Sequence, residues 1–80
     1  MKKYECPCCG NLTLDRNLQY EIWPVCFWED DPVEYDDPEY AGGANKVSLK
    51  QARINYRLFG AVDEQALKYV RKPTDSEIKS

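Results

Sequence analysis

A small α+β fold is what this sequence predicts, and three observations carry that prediction. Strand-like runs and tight turns fill the first third, a long amphipathic helical pattern fills much of the second half, and all four cysteines lie between residues 6 and 26. Eighty residues allow one domain, 1–80, too short to bury a large core without help from a staple or a metal. An apolar fraction of 42%, with six Tyr, two Trp and two Phe, still suffices for a packed interior.

The β part spans about 3–28. In "LQYEIW", Leu18, Tyr20 and Ile22 alternate with Gln19, Glu21 and Trp23, the period of a half-buried strand. Thr13 and Leu14 are placed to pair with it across a turn at Asp15–Asn17. Residues 29–46 follow as an acidic loop rich in Pro and Gly, with no helical or strand period. The long helix runs over about 49–59. Ser48 and Gln51 have capping-box spacing, Leu49, Ala52, Tyr56 and Phe59 share one face, and Gly60 is placed to end it. A short α-helix over about 64–70 opens at Asp63 and stops before Pro73, and the polar tail 74–80 is expected to fray.

Charge is unevenly shared. Residues 1–45 carry three basic side chains against ten carboxylates, and residues 46–80 carry eight against four. An acidic front half disfavours duplex binding, which needs a continuous basic surface. No apolar run follows Lys2 and Lys3, so neither a signal peptide nor a membrane span is expected and the cytoplasm is the expected compartment. Thiols stay reduced there, and clustered cysteines bind metal or do redox work more often than they form structural disulfides. Histidine is absent, which removes the commonest general base and leaves sulfur and oxygen as metal donors.

"CPCCG" contains C-P-x-C-G, the form of a zinc knuckle. Cys6 and Cys9 can converge on one cation because Pro7 pre-sets the turn and Gly10 can leave it with positive φ. A tetrahedral four-sulfur site needs a second such turn, and "WPVC", residues 23–26, has the right place and the right proline but only Cys26 as a thiol. One ligand of a zinc ribbon is thus replaced by Trp23.

Taken together, "CPCCGNLTL", "YEIWPVCFWEDDPVE", "DPEYAGGANKVSLKQARINYRLFGA" and "YVRKP" resemble the cysteine-rich CPCC family of small bacterial proteins over about residues 4–73. The resemblance implies a zinc-ribbon-like β unit with two knuckle turns followed by one long and one short helix, and it brings no activity. In the family the second turn usually reads C-P-V-C, so Trp23 is a departure.

Three readings of the cysteines stay open. Zinc is held by Cys6, Cys9 and Cys26 with a fourth group, foremost Cys8, otherwise Asp30, Asp31 or water. Alternatively the metal is lost and Trp23 fills its volume, leaving the thiols as small buried hydrophobes. Finally, Cys6 and Cys9 form a redox pair, which lacks a thioredoxin-like βαβ context and any helix start to activate a thiol. A zinc so rich in thiolate would be structural, its Lewis acidity weakened by the negative charge around it.

Seven carboxylates lie between Glu29 and Glu39, with Tyr35 among them and Trp28 and Tyr40 beside them. The spacing does not match a calcium loop, and "AGGANK" lacks the order of a phosphate cradle. Aromatic anchors among charges point instead to a protein-binding surface made of Trp28, Glu29, Asp30, Asp31, Tyr35, Asp36, Asp37 and Tyr40. Lys46, Lys50, Arg53 and Arg57 form a stripe on the long helix that is expected to face this loop. The sequence therefore predicts a non-enzymatic zinc-ribbon-like module that binds a basic protein partner, as an immunity protein masks a toxin. The alternative is a thiol redox or metal-handling protein using the CPCC cysteines.

Overall fold

The computed structural model describes residues 3–14 and 20–78. Strands β1 (Tyr4–Glu5) and β2 (Leu12–Leu14) pair antiparallel, Tyr4 opposite Leu14 and Glu5 opposite Leu12, with an irregularity between the two pairs. The CPCCG turn joins them. Thr13 and Leu14 thus pair with the strand before the turn rather than with the segment after it, and the expected Asp15–Asn17 turn and Leu18–Gln19 lie outside the described residues. A second narrow hairpin comes from residues 20–30. Tyr20 N–H donates to the Asp30 carbonyl, Asp30 N–H to that of Glu21, and Trp23 N–H to that of Trp28, with Ile22 and Glu29 bridged.

The alternation predicted here exists with the opposite face inward. Tyr20 and Ile22 are exposed while Trp23 is fully buried. Burial follows area: two indoles at about 200 Å² each contribute roughly 5 kcal/mol apiece at ~25 cal/mol per Å², more than Ile or Tyr could from this strand.

Residues 29–46 hold a helix that the sequence reading missed, α1 (Pro32–Asp36). Asp31 is its N-cap, the Oδ1 accepting from Val33 N–H at 2.8 Å, and Pro32 takes the first helical position, where a missing N–H costs nothing. The long helix α2 (Leu49–Phe59) has the predicted bounds. Ser48 Oγ accepts from Gln51 N–H at 3.1 Å, and Gly60 closes the helix with φ +91°. Only half of the capping box forms: the Gln51 side chain turns forward, its Nε2 donating to Asn55 Oδ1 at 2.8 Å, instead of accepting from the Ser48 N–H. The second predicted α-helix is a 3-10 helix, Glu64–Lys68, capped by Asp63 as expected.

Trp23, Trp28, Leu49, Ala52, Ala61, Val62 and Ala66 make one buried cluster with Cys6, Cys8 and Cys26. The core is therefore built around the cysteines. The tail does not fray up to Ile78: the Glu77 carbonyl accepts from Leu12 N–H at 2.7 Å, and its carboxylate makes a two-point pair with Arg71 at 2.8 Å. No helix among the described residues is long and apolar enough to cross a membrane.

Candidate metal centre

The two cysteine-bearing turns have the same backbone. In the first, Cys6 N–H donates to the Asn11 carbonyl and Gly10 N–H to that of Cys6; in the second, Trp23 N–H donates to the Trp28 carbonyl and Phe27 N–H to that of Trp23. Gly10 leaves its turn at φ +79° and Phe27 at φ +72°. Positive φ is natural for glycine and strained for an aromatic residue, at about 1–3 kcal/mol. The Phe27 ring is held by stacking on Tyr69, with centroids 5.0 Å apart. Trp23 thus stands where Cys6 stands, and Cys26 where Cys9 stands.

This pairing of turns brings three sulfurs together. The Sγ atoms of Cys6, Cys9 and Cys26 all lie within 4.8 Å of one another, with Cys6 and Cys26 at 3.5 Å. Zinc–sulfur bonds of about 2.3 Å place neighbouring ligands of a tetrahedron about 3.8 Å apart, so this spacing suits one soft cation. Cys8 does not join the group. It is buried, its N–H donating to Cys6 Sγ at 3.4 Å.

The electrostatics favour a cation. Hydrogen bonds with Cys26 and Cys6 pull the Cys9 thiol down to about 3, against the opposing effect of burial. Burial, followed by the neighbouring Cys26 and Cys9, pushes the Cys6 thiol up. At Cys26 the bond with Cys6 pulls down, but Cys8, Cys9 and burial together prevail and raise it. Three crowded sulfurs therefore resist carrying more than a little negative charge together. A bound cation removes that mutual repulsion.

Helix α2 fixes the first turn from outside. Arg53 Nε donates to the Pro7 carbonyl at 2.8 Å and Asn11 Nδ2 to the Tyr56 hydroxyl at 3.4 Å; Arg53 and Tyr56 are one helical turn apart. The second turn is tied to the chain after α2, Val62 N–H donating to the Cys26 carbonyl at 3.0 Å. None of Arg53, Asn11, Tyr56 or Phe27 was singled out as part of the site from sequence, although Phe27 occupies the glycine position of a repeated turn. Among the described residues the basic stripe makes no ion pair with the acidic segment; Arg53 turns to Pro7 instead.

The acidic segment is partly internal. Trp28, Asp30 and Asp31 are buried, so of the expected binding surface Tyr35, Asp36, Asp37 and Tyr40 are the members that face solvent, with Glu29 half-buried. Asp31 is committed on both oxygens, Oδ1 to the start of α1 and Oδ2 to Ala44 N–H at 2.9 Å, which takes it out of the set of hard metal donors. The Ala44 N–H, with those of Val33 and Glu34 and against burial, holds its carboxyl below the usual range. Glu34 is fully buried, its Oε1 accepting from Asn45 N–H at 3.1 Å and Asn45 Nδ2 at 3.0 Å. The "AGGAN" stretch wraps these carboxylates closely; a Cβ on Gly43 would strike Asp31 and Glu34.

The donor set fits a soft cation at three corners. At the fourth, the Trp23 indole has no lone pair to give, and its Nε1–H is buried without a partner. A family model described as Cysteine-rich CPCC matches residues 4–77. No curated protein matches the chain.

Proposed function

The chain belongs to the cysteine-rich CPCC family, and from that premise we propose that it is a small non-enzymatic module held together by a zinc-ribbon-like metal site. The observation that carries this is the convergence of Cys6, Cys9 and Cys26 within 4.8 Å on two turns of matching backbone. Cys8 or a small exogenous donor completes the shell. The metal acts as a staple, since a thiolate-rich ion activates water poorly. On this support the module presents Tyr35, Asp36, Asp37 and Tyr40 to a basic protein partner, in the manner of an immunity protein.

The test is native mass spectrometry of reduced protein with metal and free thiols counted together. One retained zinc and no disulfide supports the proposal; a chain that binds no metal from micromolar zinc overturns it. For the partner, a pull-down should weaken in salt and on D36N/D37N substitution.

The 3.5 Å approach of Cys6 and Cys26 favours a second reading, a thiol redox protein whose disulfide joins the two turns. Mapping the first disulfide formed under mild oxidation distinguishes it.

A further inference from the structure

The vacant corner of the thiolate cluster decides which ion it prefers. This preference rests on the proposal above that Cys6, Cys9 and Cys26 meet on one ion. Trp23 stands at the backbone station of a fourth ligand, fully buried, with only an N–H to offer. A tetrahedral ion has to draw its fourth donor from elsewhere, from Cys8 or a small exogenous ligand, because the buried indole supplies none. An ion that completes its shell with three sulfurs and points a lone pair at the fourth corner needs nothing from Trp23.

We infer that the cluster is a capture site for thiophilic, three-coordinate ions, of which arsenite is the representative. A cleft of about 490 Å³, lined by Glu5, Cys6, Cys8, Cys9, Tyr35 and Arg53, opens on two of the three thiols, Cys6 and Cys9, and gives a small neutral hydroxide of arsenic a way in, with Cys26 buried behind them. The reaction is a ligand exchange without change of oxidation state. Three arsenic–sulfur bonds form and three arsenic–oxygen bonds break; each hydroxide leaves as water, taking its proton from a thiol or, opposite the ionised Cys9, from solvent. Soft thiolates in a buried setting select soft ions over oxygen-loving ones.

The experiment is native mass spectrometry of the reduced full chain mixed with arsenite and zinc in competition. The expected product carries one arsenic with three protons lost, and equimolar zinc does not displace it. Cys8→Ser should keep this adduct, since Cys8 lies outside the trio. Cys26→Ser should leave an adduct that retains one hydroxyl and is lost at arsenite concentrations that saturate the unaltered chain. Trp23→Cys should reverse the preference, zinc displacing arsenite. Zinc bound in place of arsenite by the unaltered chain would overturn the inference and leave the proposed metal site standing. So would loss of the three-proton adduct in a Cys8→Ser chain whose circular dichroism is unchanged. Retention of neither ion would overturn both.

Discussion

Trp23 occupies in the second turn the backbone station that Cys6 holds in the first: each donates its N–H five residues on and accepts a bond from the N–H four residues on. The second turn thus has the backbone of a ligand-bearing turn and carries an indole at the ligand station. The indole now belongs to the core with Trp28, Leu49 and Ala52. Trp23→Ala should therefore cost about 3–5 kcal/mol in metal-free protein, through lost burial and the cavity left. Urea unfolding of the reduced protein in chelator measures it.

Metal removal should be felt across the whole fold, because Cys6 and Cys26 sit inside the buried cluster and Cys9 packs against it. Binding free energy at a structural thiolate site is folding free energy, on the order of 10 kcal/mol for four ligands and less for three. Chelation should lower the thermal midpoint, and readdition of zinc should restore it. Cys9→Ser should abolish the difference between the two melts.

Asp31 joins the start of α1 to the chain before α2. Asp31→Asn keeps the shape but weakens the bonds to Val33 and Ala44, and Asp31→Ala removes them, at about 1–2 kcal/mol for the cap alone. The folded carboxyl sits below its ordinary value, so its contribution is complete above about pH 4 and is lost as pH falls through the folded value. The fall in stability on acidification should be shallower in Asp31→Asn, as read from urea midpoints between pH 6 and acid. Gly43→Ala should destabilise the same contact by about 1–3 kcal/mol, because its Cβ meets both carboxylates.

Glu77 ties the tail to β2. The Arg71 guanidinium, helped by Thr74 N–H, holds its carboxyl at about 2. A depressed folded value means that docking is complete above the ordinary glutamate range and lost as pH falls toward 2. Hydrogen exchange at Leu12, whose N–H bonds the Glu77 carbonyl, should quicken over that window. Glu77→Gln should show the faster rate already at pH 6.

Much of the fold was legible because its signals are local. Ser48, Gly60 and Asp63 act as caps at the positions read from sequence, and a cap requires only a side-chain oxygen or an absent Cβ within a turn of its target. The same rule was available at "DDPVEYD", where an Asp cap followed by Pro announces α1; the density of charge there hid a sequence cue that was present. The convergence of Cys6 and Cys9 could likewise be read from one turn.

What the chain by itself determined, then, is the set of local turns, the capped long helix, and two knuckle turns that carry three of a zinc ribbon's four ligand thiols, with Trp23 at the remaining position. Tertiary structure alone decided which face of the second hairpin went inward, that Cys8 stays outside the group formed by Cys6, Cys9 and Cys26, and that Asp30, Asp31 and Glu34 are internal. The reason is physical. Pattern and spacing fix what neighbours along the chain can do, but the inward face is chosen by the larger apolar area available across the gap. Trp23 and Trp28, meeting α2, outweighed the alternation that favoured Tyr20 and Ile22. Buried carboxylates, in turn, required amides from residues 44 and 45 that no local rule assigns to them.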